Sequence, residues 1–269
     1  MSILTSQQIS QLFEQYGETE ITFTKEVSRA IRLAGKQVFL KCLGYQWPCI
    51  IYSSSMVGAK VIVNVKSSIQ DVTRSANNLV SLRFGFQRDD KLDPIAFHVA
   101  SRITGFTATG PQNPDLNFAA ITFTQRPPDY LIAALGTLLE ANANSQKRRD
   151  ERVLLTDEVM RKLGLKAKEI TLFVQGIPRK AILRDFSFSG AKLIILGVPK
   201  FLIGKEVILR IEMEDTTEVL DIPGTMLRHE PVSGRKDIAA FAIQFQENRV
   251  PMRYKLMVNS YLSQNIKRK

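Results

Sequence analysis

The chain has 269 residues, 44% of them hydrophobic and 23% charged, a composition that excludes wholesale disorder. No apolar run approaches the roughly 20 residues of a membrane-spanning helix, and the start, Met1-Ser2-Ile3-Leu4-Thr5-Ser6, lacks the basic and apolar regions of a secretory signal, so a cytoplasmic protein with no membrane insertion is expected. The formal charge of +11 is uneven: residues 1–144 carry 13 basic and 11 acidic side chains and residues 145–269 carry 24 and 15, which points to an anionic partner for the second half.

In chain order, Ser6–Tyr16 predicts a helix. Ile9, Leu12, Phe13 and Tyr16 form one apolar stripe, with Ser6 as the expected cap. Six strand-like runs follow: Gln37–Leu43, Cys49–Ser53, Ala59–Val65, Leu79–Phe86, Ile95–Ile103 and Phe118–Gln125. They are separated by turn residues at Gly44–Pro48, Gly58, Asp89-Asp90 and Gly110-Pro111. After Pro127-Pro128-Asp129 a helix carries Leu131, Leu135, Leu138 and Leu139, and the polar run Asn142–Gln146 breaks its pattern. A second set of six strands then reads Glu169–Gln175, Lys180–Asp185, Ala191–Leu196, Glu206–Met213, Val219–Arg228 and Ile238–Gln246. The last helix places Tyr254, Met257, Val258, Tyr261 and Leu262 on one face and ends in Lys267-Arg268-Lys269, cations suited to a helix C-terminus.

The two sets read as copies. Ser53–Ile62 aligns with Asp185–Ile194 at a constant offset of 132 residues, with Ser, Gly, Ala, Lys and Ile identical, and Ala120-Ile121-Thr122-Phe123 resembles Ala242-Ile243-Gln244-Phe245. A repeated order of about six short strands and a terminal helix argues for two tandem antiparallel barrels, residues 1–144 and 145–269, in an all-β protein with flanking α-helices.

Enzyme chemistry has little material here. His98 and His229 sit in separate strand-like runs and read as structural. Cys42 and Cys49 flank a turn, where they either face each other across a hairpin or remain buried thiols. There is no phosphate-binding glycine loop, no metal-ligand cluster and no cofactor motif; the expectation is a non-enzymatic protein with no metal and no cofactor.

Two features of the basic half carry the function. Lys147-Arg148-Arg149-Asp150-Glu151-Arg152 contains an R-x-x-x-R segment, and Asp185-Phe186-Ser187-Phe188-Ser189-Gly190 a D-x-S-x-x-G segment. In this order they resemble the signature of the PilZ domain, a six-stranded barrel that binds the bacterial messenger cyclic di-GMP. Gly224, Arg228 and Ala242-Ile243-Gln244-Phe245 fit the tail of that family, and the resemblance covers roughly residues 145–263. It implies ligand contacts at Arg148, Arg149, Arg152, Asp185, Ser187 and Gly190, with Lys147 and Arg228 as further candidates, and it leaves one or two ligand molecules per site open.

The chemistry agrees. A guanidinium pairs bidentately with phosphate oxygens and with the O6/N7 edge of guanine. Arginines four apart in an extended segment span roughly 13 Å, enough to reach across a compact dinucleotide. Asp185 suits the guanine N–H donors, Ser187 can donate or accept, and Gly190 permits a positive φ or close ligand approach. The first copy keeps Ser55 and Gly58 but has Ser53 for the Asp, and Tyr16–Glu20, with two acids and no arginine, for the R-x-x-x-R segment. It is expected to be a barrel with no messenger site, in a two-barrel layout similar to PlzA-type receptors. The arginine segment, mobile through like-charge repulsion when free, is expected to close on the ligand and change the interdomain arrangement, with outputs such as motility or virulence and an unknown protein target. Nucleic acid is the alternative partner: a basic barrel face tracks phosphates, and Phe186 and Phe188 are candidates for base stacking.

Overall fold

The computed structural model describes residues 4–65, 69–87, 94–196, 201–214, 218–232 and 235–266, without the side chains of residues 235–237, 265 and 266. The expected turn at Asp89-Asp90 and the Lys267–Lys269 cations lie outside the described residues. The chain divides into two compact units, Met1–Leu139 and Glu140–Lys269, where the sequence reading places the junction slightly later, between residues 144 and 145.

The first unit runs α1 (Ser6–Tyr16), β1 (Ile21–Thr22), α2 (Lys25–Ala30), β2 (Phe39–Cys42), β3 (Tyr45–Ser54), β4 (Gly58–Asn64), α3 (Ile69–Ser75), β5 (Leu79–Phe86), β6 (Ile95–Ala108) and β7 (Leu116–Phe123). The strands neighbour one another in the order β3-β2-β5-β6-β7-β4, and β4 returns to β3, which closes a six-stranded antiparallel barrel; β1 is added at the β3 edge. Side chains alternate as a pleat requires. On β4, Ala59, Val61 and Val63 face the core and Lys60 and Ile62 face out. Helix α4 (Asp129–Lys147) begins in this unit and runs across the division. Gly136 lets α1 approach it, since a Cβ there would lie 2.9 Å from Leu12 Cβ.

The second unit repeats the plan with β8 (Val153–Leu154), α5 (Asp157–Leu163), β9 (Glu169–Val174), β10 (Ile177–Phe186), β11 (Gly190–Leu196), β12 (Glu206–Glu212), β13 (Val219–Val232), β14 (Arg235–Phe245) and α6 (Met252–Ile266). Its ring is β10-β9-β12-β13-β14-β11, closed by β10–β11, with β8 at the β10 edge. Leu172, Leu183, Phe186, Leu193, Leu209 and Phe241 fill the interior, and α6 adds Tyr254, Met257, Val258 and Leu262 to the same core.

The 132-residue offset holds in atomic detail. Both β2–β3 and β9–β10 turn through two residues with positive φ, Leu43-Gly44 and Gln175-Gly176, the two-residue hairpin that matches strand twist. Thr24 caps α2 and Thr156 caps α5, each hydroxyl accepting from the N–H three residues on. A bulge interrupts β3 at Tyr52 and β10 at Arg184.

Several local expectations are corrected. The cap of α1 is Thr5, which shares a capping box with Gln8. The turn expected over Gly44–Pro48 is confined to Leu43-Gly44, and Tyr45–Pro48 pair with β2. Cys42 lies opposite Tyr45, and the Cys49 N–H bonds to the Val38 carbonyl, so the two cysteines do not face each other. Both are free and buried, and burial pushes the Cys49 thiol up to about 12. The run Asn142–Gln146 does not end α4, which continues to Lys147. Ser145 bonds its hydroxyl to the Asn142 carbonyl, and the buried Asn259 accepts from Asn144 and donates to Glu140, so these polar residues fasten the helix to α6. Among the described residues no helix is long and apolar enough to cross a membrane.

Candidate functional site

The arginine segment is not extended. Arg148–Asp150 continue α4 as a turn, the Arg148 N–H bonding to the Asn144 carbonyl and the Glu151 N–H to the Arg148 carbonyl. The chain then enters β8, whose register sets Leu154 opposite Asp185 and Val153 opposite Phe186. Arg152, one residue before β8, is thereby delivered to Asp185, and its Nη1 donates to Asp185 Oδ1. Two motifs about 35 residues apart in sequence meet because a two-residue strand joins them.

Like-charge repulsion does not leave this segment unanchored, because each arginine has a carboxylate partner. Arg148 bonds Glu151 through Nε at 2.6 Å and Nη2 at 2.8 Å, the bidentate geometry a phosphate would also take. Arg149 Nη1 lies 3.4 Å from Glu247 Oε2, whose other oxygen accepts from Gln146 at 2.6 Å. Asp150 accepts from the Ser189 hydroxyl at 2.6 Å, and the Arg149 carbonyl accepts from the Ser189 N–H at 3.2 Å. Lys147 is exposed at the end of α4 and makes no ion pair among the described residues.

The D-x-S-x-x-G turn is built from the inside. Ser187 is fully buried, and its Oγ accepts from the N–H groups of Ser189 and Gly190, both at 3.2 Å. Its carbonyl accepts from Tyr254 Oη at 2.8 Å. Gly190 has no positive φ. It is glycine because β14 lies against it: a Cβ would come 2.3 Å from the Ile243 carbonyl oxygen. Gly224, from the other side of β14, would put a Cβ 2.6 Å from the Gln244 oxygen. Ser187 and Gly190 therefore shape the turn, and Asp185 carries its polar outward group. The bulge at Arg184 makes that possible, because it lets Arg184 and Asp185 both face away from a core that holds Leu183 and Phe186.

Sequence reasoning missed Lys192, although its place two residues after Gly190 is visible in the text. It pairs with Asp185 across β10–β11 and with Ala242 across β11–β14, while Arg228 pairs with Ala242 from the far side. Asp185, Lys192 and Arg228 thus occupy one lateral row of the outer face. Lys192 Nζ donates to Glu230 Oε2. That hydrogen bond, then the Lys192 charge, with smaller help from Arg228 and Arg184, holds the Glu230 carboxyl below its ordinary value. Phe186 and Phe188 are buried in the core, which removes them as base-stacking surfaces.

In the first barrel the same positions hold a different chemistry. Ser53 Oγ donates to Glu20 Oε1 where Arg152 meets Asp185 in the second. The turn itself persists: the Val57 N–H bonds to Ser55 Oγ, and a Cβ on Gly58 would lie 2.5 Å from the Ile121 oxygen.

Residues 7–142 match the PilZN3 domain family and residues 146–261 the PilZ domain family. The chain is 44% identical over 263 residues to a Treponema denticola protein named cyclic di-GMP binding protein, covering 98% of this chain and 84% of that protein. Among solved structures it is similar to the Borreliella burgdorferi PlzA protein in complex with c-di-GMP, at 21% identity and a TM-score of 0.45 over 96% of this chain and 99% of that one. It is also similar to Escherichia coli YcgR in complex with c-di-GMP, at 11% identity and a TM-score of 0.30 over 90% and 88%. The two family matches, which together span nearly the whole chain, and the relative at 44% identity lead to one assignment: the chain belongs to the PilZ family, a PilZN3 domain followed by a PilZ domain.

Proposed function

We propose that this chain is a receptor, not an enzyme, for cyclic di-GMP, and that the second barrel holds the ligand. The observation that carries the reading is the meeting of Arg152 with Asp185 beside Arg148 and Arg149, which gathers guanidinium forks and a carboxylate suited to the two phosphates and the guanine edges of that molecule. The relative of known name, 44% identical over nearly the whole chain, supports it. In this reading Arg148, Arg149, Arg152 and Asp185 touch the ligand, Ser187 and Gly190 hold the turn that presents Asp185, and Lys147 and Arg228 extend the charge at either end. Arg148 directly follows α4, the helix that leads out of the first unit. Ligand capture therefore acts on the segment joining the barrels and changes their arrangement, as a signal to a protein target that controls outputs such as motility or virulence.

Calorimetric titration tests the site. Wild-type protein is expected to bind cyclic di-GMP in preference to GMP and to oligonucleotides, and Arg148→Ala and Arg152→Ala are each expected to lose about 1.5–3 kcal/mol. Equal binding by the variants would refute the site. Small-angle scattering tests the switch: superimposable curves with and without saturating ligand would remove it and leave binding intact.

A further inference from the structure

The outer faces of the two barrels differ at one place. In the second barrel the register runs Asp185, Lys192, Ala242, Arg228, and in the next row Ile182, Ile194, Ala240, Glu230. Between β11 and β13, β14 therefore sends out only methyl groups, and the longer side chains around them define a shallow trough floored by Ala242, which is half-buried, and Ala240, which those neighbours bury. At about 4.8 Å per strand it leads roughly 14 Å from Asp185 to Arg228. The Lys192–Glu230 ion pair crosses it from β11 to β13.

In the first barrel the corresponding rows are Ser53, Lys60, Ala120 and Ile50, Ile62, Phe118. Phe118 stands where Ala240 stands. Its ring meets Tyr52 edge-on at 5.0 Å, and Lys60 Nζ lies 4.7 Å from its centroid. The trough is filled with aromatic carbon there, and its lysine is engaged by ring faces.

We propose that the ligand seat of the second barrel extends from Arg152 and Asp185 across this trough to Arg228, with Lys192 as a phosphate-binding residue and Glu230 as the internal anion that holds Lys192 over the trough until a ligand phosphate replaces it. The proposal rests on the reading of the chain as a cyclic di-GMP receptor. Methyl groups leave room for a flat purine against the sheet, and the lysine exchanges one oxyanion for another. The charges of Arg228 and Arg184, which both favour the ionised Glu230 carboxyl, remain to balance the released carboxylate.

The test is titration of cyclic di-GMP into the full-length protein and four variants, with thermal melts as the check on folding. Lys192→Ala is expected to bind about tenfold more weakly and Glu230→Gln several-fold more tightly. Ala240→Phe is expected to lose binding with its melt intact, because the first barrel accommodates Phe at this position. Phe118→Ala is expected to bind as wild type. Full affinity in both Lys192→Ala and Ala240→Phe would overturn the extended seat alone. If Ala240→Phe does not fold, the opposite-signed effects of Lys192→Ala and Glu230→Gln decide: their absence overturns the seat. Wild-type protein that takes up no cyclic di-GMP would overturn the receptor reading and the seat together.

Discussion

Tyr254 Oη donates to the carbonyl oxygen of Ser187 at 2.8 Å, so the last helix of the chain holds the middle of the turn that presents Asp185. The phenol is completely buried, and water cannot take its place. Tyr254→Phe leaves the Ser187 carbonyl short of a donor and is expected to cost about 1–3 kcal/mol, read as a lower urea midpoint. Burial also pushes this phenol well above its ordinary value of 10.0. Above that pH the unfolded chain releases a proton that the folded chain keeps, so this phenol's contribution to stability is level below pH 10 and falls as pH rises past it, in addition to the fall that the raised Cys49 thiol causes from its ordinary value of 9.0 upward. Urea series between pH 8 and 11 should show this fall, with a shallower slope in Tyr254→Phe.

Gly190→Ala and Gly58→Ala place a methyl against the carbonyl of the neighbouring strand, 2.3 Å from the Ile243 oxygen and 2.5 Å from the Ile121 oxygen. Backbone cannot yield as a side-chain tip does, and each substitution should destabilise its own barrel by roughly 2–4 kcal/mol. The two should part in ligand titrations. Gly190→Ala deforms the turn beside Asp185 and weakens binding of cyclic di-GMP, whereas Gly58→Ala lowers the melting temperature and leaves affinity unchanged. A loss of affinity in Gly58→Ala would mean that the first barrel takes part in the site.

Glu247 engages Arg149 and Gln146 with its two oxygens, and in the proposed site it is the group a ligand would displace from the guanidinium. The Arg149–Glu247 pair is 43% exposed on both sides, so screening keeps its worth within about 1 kcal/mol. Glu247→Gln should therefore tighten binding of cyclic di-GMP by no more than about fivefold, and added salt should narrow the difference. Weaker binding in this variant would assign Glu247 to holding Arg149 in its productive place.

The two barrels were legible because their strands alternate strictly and their copies keep a constant spacing. Leu79–Phe86 runs between the same two residues in text and in structure. The short elements were not legible: β1 and β8 have two residues each, too few for any period, and only pairing in the fold defines them. The end of α4 was misread for a related reason. Asn142, Asn144 and Ser145 look like a loop by composition, but Asn142 and Asn144 are held by Lys255 and Asn259, more than a hundred residues away, and Ser145 bonds back to the Asn142 carbonyl within the helix. At the site, the residue types were readable and their division of labour was not. Nothing in the letters separates Ser187, buried and bonded inward, from Asp185, which faces out.

The Ser-x-x-Gly half of the motif survives in the first barrel, where Glu20 and Ser53 have replaced the arginine and the aspartate. Those two letters report how a barrel is stitched shut, since a seam between the last strand and the hairpin demands them whether or not anything docks outside. Surveys that sort such barrels into responders and bystanders would do better to weigh the residue two places before that serine, together with the side chain 33 places upstream of it, than to count the serine and glycine.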